Sequence, residues 1–295
     1  MTVPPSSFGG GLSREVSSSS RVGVVPSHHM KYGAGVLQRV NSGDLRASLF
    51  LDFDGTLVES NVAMDLVAHF GKDGRRVADA VDRELHAGRM NLREAWEREA
   101  ALLPWDRIPE MVEFAVTHTR WRPGAQELVT GAQERGWFVA VVSGGLDFYI
   151  LPLLSRAGIR LPVFSDRIGE AQGGSLQVVH PFQHPTCRLC GICKAGIVRE
   201  RTAKNGIGIF VGDGSTDRYA AEVADIIFAR RRLLSICQGR GQPVIPFDDL
   251  RQVAEALWAW SADPMRLPRV RRPGFPESAC PISRETHRDW SPHEP

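Results

Sequence analysis

The sequence has almost no excess charge of either sign. Its 36 Lys+Arg stand against 34 Asp+Glu, a formal net charge of +2. That balance argues against a dedicated nucleic-acid binder, which carries a basic excess. Cysteine is also scarce, five in 295 residues, too few for a disulfide scaffold. The expectation is therefore a reduced, cytoplasmic protein. No apolar run approaches the roughly 20 residues that span a bilayer, and no short apolar stretch near the start reads as a secretory leader. Neither a membrane nor a nucleic acid is an expected partner. What remains, 42% hydrophobic and 24% charged residues, is the composition of an ordinary globular fold.

The ends differ from the middle. Residues 1–45 are rich in Gly, Ser and Pro, with Ser17 to Ser20 in a row. They lack a sustained apolar period and read as a disordered lead. Residues 261–295 are dense in Pro and Arg and read as a tail outside the fold. Between them, short apolar runs end in Gly-bearing polar loops: Ser48 to Leu51 before Asp52-Phe53-Asp54-Gly55-Thr56, Trp137 to Val142 before Ser143-Gly144-Gly145, and Ile207 to Val211 before Gly212-Asp213-Gly214. Ile226 to Ala229 is a fourth run. Helical patterns lie over 125–135, 146–157, 195–203 and 216–224. Near-continuous apolar strands alternating with helices predict an α/β fold, a doubly wound parallel sheet covered on both faces. Residues 60–120 break the rhythm with helical patterns at 62–70, 75–86, 92–102 and 109–117. The predicted organisation is a core over 46–59 and 121–260, with 60–120 as an inserted helical cap.

In an open parallel sheet, ligands bind beyond the carboxyl ends of the strands. That rule gathers Asp52, Asp54, Ser143, Asp213 and Asp217 at one crevice. Asp52 and Asp54, two apart, point to the same side if the segment is extended. Several carboxylates in one cleft repel each other unless a cation sits among them. Oxygen-only donors suit Mg²⁺. A carboxylate beside such an ion can attack phosphorus. Ser143 and the exposed N–H groups near Gly144 suit a phosphate, and Lys194, opening a helical stretch, would neutralise phosphoryl oxygens.

These residues resemble four motifs of the haloacid dehalogenase superfamily. They are Asp52-Phe53-Asp54-Gly55-Thr56, Val141-Val142-Ser143-Gly144-Gly145, Lys194, and Gly212-Asp213-Gly214-Ser215-Thr216-Asp217, in that order over roughly residues 47–255. The resemblance implies a phosphoric monoester hydrolase acting on a small phosphorylated metabolite through an aspartyl-phosphate. Asp52 is then the nucleophile and Asp54 the acid and base. Ser143 and Gly144 bind the phosphoryl group with Lys194. Asp52, Asp213 and the Asp54 carbonyl hold Mg²⁺, and Asp217 supports them. The helical insertion places the chain in the phosphoserine-phosphatase-like branch. Val142 to Phe148, Cys190-Gly191-Ile192-Cys193-Lys194 and Ile227-Phe228-Ala229-Arg230 are most similar to phosphatases of 2-hydroxy-3-keto-5-methylthiopentenyl 1-phosphate. Phosphocholine, phosphoethanolamine and phosphoserine phosphatases are alternatives, as is a non-catalytic regulatory module on the same fold.

Two features stand apart from those motifs. Glu59, Asn61 and Arg93, with Arg89 and Trp96, are candidates for selecting the leaving group from the cap. Cys187, Cys190 and Cys193, with His180 and His184 upstream, have the spacing of a structural zinc site of Cys₃His type. The same thiols also admit a packed loop that positions Lys194, or a redox site.

Overall fold

The computed structural model describes residues 45–87, 89–169, 176–185, 187–263 and 266–268. The predicted disordered lead and most of the predicted tail lie outside the described residues. Among the described residues one sheet contains seven strands: β1 (Ala47–Leu51), β2 (Phe138–Leu146), β3 (Val163–Gly169), β4 (Gln177–Val179), β5 (Ile207–Gly212), β6 (Ile226–Ala229) and β7 (Ile245–Pro246). Their order is β4-β3-β2-β1-β5-β6-β7. Every neighbouring pair is parallel except β3 with β4. From β1 the chain first builds outward through β2 and β3, then crosses to the other side through β5. This reversal puts the carboxyl ends of β1, β2 and β5 side by side, where a doubly wound sheet has its crevice.

The strands are apolar throughout because both faces are covered. Leu49, Leu51, Val139, Val141, Ile209 and Val211 face one apolar cluster. That face is covered by α5 (Ala125–Glu134), α6 (Asp147–Arg156) and α10 (Leu250–Ala262). Phe50, Ala140, Val142 and Phe210 face a second cluster, formed with α7 (Lys194–Arg201), α8 (Arg218–Val223) and α9 (Arg231–Gly239). The period-2 alternation of a strand is therefore present as a split between two cores, which an apolar-against-polar reading cannot display.

Four helices fill the interval between β1 and α5: α1 (Val62–Phe70), α2 (Gly74–His86), α3 (Leu92–Ala100) and α4 (Ile108–His118). Their starts follow local chemistry. Asn61 caps α1, with its side chain accepting from the Met64 N–H. Asn91 and Glu94 form a reciprocal capping box on α3. The block is entered and left through a neck. Val58 and Trp121 form an antiparallel bridge, the Glu59 N–H donates to the Arg120 carbonyl at 2.9 Å, and the Arg122 N–H donates to the Leu57 carbonyl at 2.9 Å. Above the neck, Leu66, Val67, Met111 and Ala115 pack into the same apolar cluster as Leu51 and Val141.

The structure departs from the expected elements at five places. β2 does not stop at Val142 but continues through Ser143-Gly144-Gly145 to Leu146, with an irregular register against β3. β3 gave no strand signal because Asp166 interrupts its apolar run, yet Asp166 is 1% exposed. β4 and β7 are only three and two residues long, too short to show a period. At the carboxyl end, α10 reaches Ala262 and Leu267 packs against the main cluster, so that part of the predicted tail belongs to the fold.

Candidate active site

β1 ends at Leu51, and Asp52 is held at its tip by an N–H bond to the Val211 carbonyl of 2.9 Å. The chain then turns back over Phe53–Leu57: Asp54 is still extended (φ −69°, ψ 124°), Gly55 is left-handed, and the Val58 N–H closes the turn on the Phe53 carbonyl at 3.1 Å. Gly55 has φ +76° there, and a Cβ on it would lie 2.3 Å from Asp213 Oδ2. Only glycine lets this turn approach the end of β5 so closely. The guanidinium of Arg122, itself 6% exposed, fastens the turn by donating to the carbonyls of Gly55 (2.8 Å), Thr56 (2.8 Å) and Val58 (3.3 Å).

Lys194 is the electrostatic centre. Its Nζ donates to Asp52 Oδ1 at 2.6 Å and to Asp217 Oδ1 at 2.7 Å. Burial alone would lower its pKa, but Asp217 and Asp52 outweigh that and hold it above the ordinary lysine value. The other oxygen of Asp217 accepts from the N–H groups of Asp213 (3.0 Å) and Gly214 (2.9 Å). Asp217 thus has both oxygens engaged and acts as a strut between Lys194 and the loop after β5. Burial, then Asp217, push the Asp52 carboxyl well above the ordinary value, against the pull of Lys194. Burial and Asp217 likewise raise Asp213 to about 6, opposed by Arg231 and Lys194.

The Asp54 carboxyl has partners of its own. Oδ1 accepts from the Val62 N–H at the start of α1, at 2.8 Å, and Oδ2 accepts from the Tyr149 hydroxyl, at 2.7 Å. Burial raises its pKa to about 6, with the bonds from Tyr149 and Val62 opposing. Gly145 makes room for this contact, since a Cβ there would fall 2.0 Å from the Tyr149 hydroxyl. Ser143 is buried, and its Oγ accepts from the Gly145 N–H at 3.0 Å.

Ligand oxygens of Asp52, Asp213 and Asp217 lie within 4.8 Å of one another. Three carboxylates meet one buried lysine, with the exposed Arg231 3.6 Å from Asp213 Oδ2, and hard oxygen donors next to a cradle kept open at Gly55 fit a hard divalent cation. The zinc site that the cysteine spacing suggested finds no support among the described residues. Among the described residues, the carboxylate trio is the group of His, Cys, Asp and Glu whose ligand atoms converge. Cys193 Sγ accepts from the Gly196 N–H as the cap of α7. His184 Nδ1 accepts from the Cys187 N–H at 3.2 Å. Both ring nitrogens of His180 face carboxylates.

The candidate cap residues scatter. Glu59 lies in the neck and is exposed. Asn61 spends its side chain on the α1 cap. Arg89 pairs with Glu84 at the surface. Trp96 packs on the main cluster with its Nε1 buried and unbonded. Arg93 reaches Glu97 and Gln183. Tyr149 and Arg122 are not singled out by the sequence. No local spacing marks them, because each acts on a residue more than 60 positions away.

Residues 49–222 match the family of haloacid dehalogenase-like hydrolases. A Geobacillus kaustophilus (strain HTA426) protein curated as 2-hydroxy-3-keto-5-methylthiopentenyl-1-phosphate phosphatase is 32% identical over 211 residues, covering 71% of this chain and 94% of that protein. A protein of the same description from Bacillus thuringiensis (strain Al Hakam) is 28% identical over 213 residues, with the same shares. Among solved structures, a phospho-aspartyl intermediate analogue of phosphoserine phosphatase matches with TM-score 0.53 at 24% identity, covering 72% of this chain and 98% of that one. Phosphoserine phosphatase from T. onnurineus in complex with NDSB-201 matches with TM-score 0.53 at 17% identity, covering 74% and 97%. These last two likenesses speak to the fold.

Proposed function

The chain belongs to the haloacid dehalogenase-like hydrolase family, and from that premise we propose that it is a phosphomonoesterase working through Asp52. The observation that carries this reading is the buried bond from Lys194 to Asp52 and Asp217, set beside an Asp54 whose pKa of about 6 suits proton transfer near neutrality. Asp52 attacks phosphorus and the bond to the ester oxygen breaks. Asp54 delivers its proton to that oxygen, and the alcohol leaves. Asp54, now a carboxylate, takes a proton from water as the water oxygen attacks the aspartyl-phosphate. The bond from phosphorus to Asp52 breaks, releasing inorganic phosphate and restoring Asp52. Lys194, Ser143 and the N–H groups near Gly144 bind the phosphoryl oxygens throughout. Asp52, Asp213 and the Asp54 carbonyl would hold Mg²⁺, which would supply neutralising charge to the phosphoryl group.

Helices α1 to α4 act as the cap over this crevice, with the neck at Val58 and Trp121 as its hinge. The curated relatives support 2-hydroxy-3-keto-5-methylthiopentenyl 1-phosphate as the substrate. The test is a phosphate-release screen with Mg²⁺ over that ester, phosphoserine, phosphocholine and phosphoethanolamine, for wild type and Asp52→Asn. The expected result is turnover of the enol phosphate by wild type and at least a thousandfold loss in the folded variant. A different single strong ester reassigns the substrate. Equal rates in the two proteins end the mechanism.

A further inference from the structure

The segment that delivers Lys194 is built around a buried charge. Asp166 of β3 is 1% exposed, and its Oδ1 is in ion-pair contact with His180 Nδ1 at 2.9 Å. The opposite ring nitrogen, Nε2, lies 3.1 Å from Glu97 Oε1 of α3. Carboxylates beside both ring nitrogens favour the imidazolium: Nε2 is hydrogen-bonded to Glu97 Oε1, while Nδ1 and Asp166 Oδ1 are in ion-pair contact without hydrogen-bond alignment. The surroundings agree: burial would lower the His180 pKa, but Asp166 and Glu97 raise it above the ordinary value. The charged groups facing the ring are Asp166 from β3 and Glu97 and Arg93 from α3.

This pair is wedged under the turn that leads into α7. Gly191 has φ +67°, and a Cβ there would lie 2.7 Å from His180 Nδ1 and 3.1 Å from Asp166 Oδ2. The turn is bonded on both flanks. The Arg93 N–H at the head of α3 donates to the Leu189 carbonyl at 3.0 Å, and the Cys193 N–H donates to the Phe182 carbonyl at 2.8 Å. Arg93 Nε reaches Glu97 at 2.8 Å, and its Nη1 reaches Gln183 at 3.1 Å. One helix of the inserted block thus grips His180, Gln183 and Leu189, shortly before Lys194.

We propose that His180 is a positioning residue that couples α3 to Lys194: its ring, held between Asp166 and Glu97, keeps the Gly191 turn seated so that Lys194 sits on Asp52 only while α3 is docked. This rests on the reading of Lys194 as the phosphoryl-binding lysine. It makes docking of the helical block and assembly of the catalytic charges one event. Loss of the His180 proton removes the positive charge that lies between its two carboxylates, so the coupling weakens as pH rises through the raised His180 pKa.

The experiment is amide hydrogen exchange on the full chain, comparing wild type, Glu97→Gln and His180→Gln at one pH below and one above the His180 titration with intrinsic rates corrected, together with kcat and KM for p-nitrophenyl phosphate with Mg²⁺. A coupling of the usual size gives about tenfold faster exchange over 189–201 in Glu97→Gln, with α10 unchanged. Wild type shows the same acceleration between the two pH values, and His180→Gln shows it at both. The same variants lose about tenfold in kcat with KM moved less than twofold. Unchanged exchange over 189–201 in Glu97→Gln overturns the proposal, even if activity falls. Should His180→Gln fail to fold, Glu97→Gln and the wild-type pH comparison decide alone. If wild type turns over no ester, the phosphatase reading fails while the exchange result still decides the coupling.

Discussion

At the scale of single residues, the site separates two carboxyl groups by what touches them. Asp52 and Asp54 are two positions apart, yet one meets a lysine and the other a tyrosine. The Tyr149 hydroxyl gives Asp54 one fixed orientation and favours its charged form, against burial, which favours the protonated form. A group balanced this way can first donate and then accept a proton. Tyr149→Phe keeps the packed ring and removes only that bond. We expect roughly tenfold lower kcat, with the thermal midpoint moved by a few degrees at most, read by steady-state assay and calorimetry. Unchanged kcat would remove Tyr149 from the mechanism. The two aspartates were legible in the sequence because their spacing and loop context are local. Tyr149 was not, since it lies 95 residues from its partner.

At the scale of elements, the turn Phe53–Leu57 is the part on which the site depends most. Its carbonyls point inward and find no strand to pair with. Arg122, on the exit side of the neck, covers those of Gly55 and Thr56 and the Val58 carbonyl just beyond, and also reaches the Asp248 carbonyl at 3.3 Å. Burial, with Arg230 and Arg231 nearby, lowers the Arg122 pKa. A buried guanidinium on neutral acceptors is held by geometry rather than by a counter-ion. Arg122→Met should cost about 2–4 kcal/mol in urea unfolding, because several buried carbonyls lose their donor at once. Arg122→Lys should recover only part of that, since an ammonium cannot span the fork. If Arg122→Met unfolds at the wild-type urea midpoint, the turn is held by something else. The helices themselves were legible from period and caps, as at Asn91 and Glu94. Strands β3, β4 and β7 were not, because one holds a buried aspartate and the others are too short for any pattern.

At the scale of the whole molecule, stability should depend on pH through the inserted helices as well as the site. Glu99 of α3 has its pKa raised from 4.5 to about 7, first by burial and then by Asp82. The unfolded chain gives up this proton near 4.5 while the fold keeps it to about 7. Stability is therefore lost as pH rises through that interval and stays lost above it. Glu99→Gln should flatten the slope and stabilise the protein by about 1–2 kcal/mol at pH 8, allowing for partial solvent screening. Urea midpoints at pH 5 and pH 8 test this, and equal slopes in the two proteins would refute it. The same division runs through the entire fold. The sequence by itself determined the alternating elements, the order of the four motifs and the oxygen-rich chemistry of the crevice, because apolar period and loop composition are properties of neighbouring residues. The pairing of Asp52 with Lys194, 142 residues apart, was expected only through family likeness, and the geometry was decided by the reversal of strand order at β1. The thiols proved a sharper case. Their spacing matched a metal motif, but Cys193 was drawn to a helix cap and His180 to two carboxylates. Which partner a polar side chain takes depends on what the folded chain buries beside it, and a buried donor or charge goes to the nearest group that satisfies it.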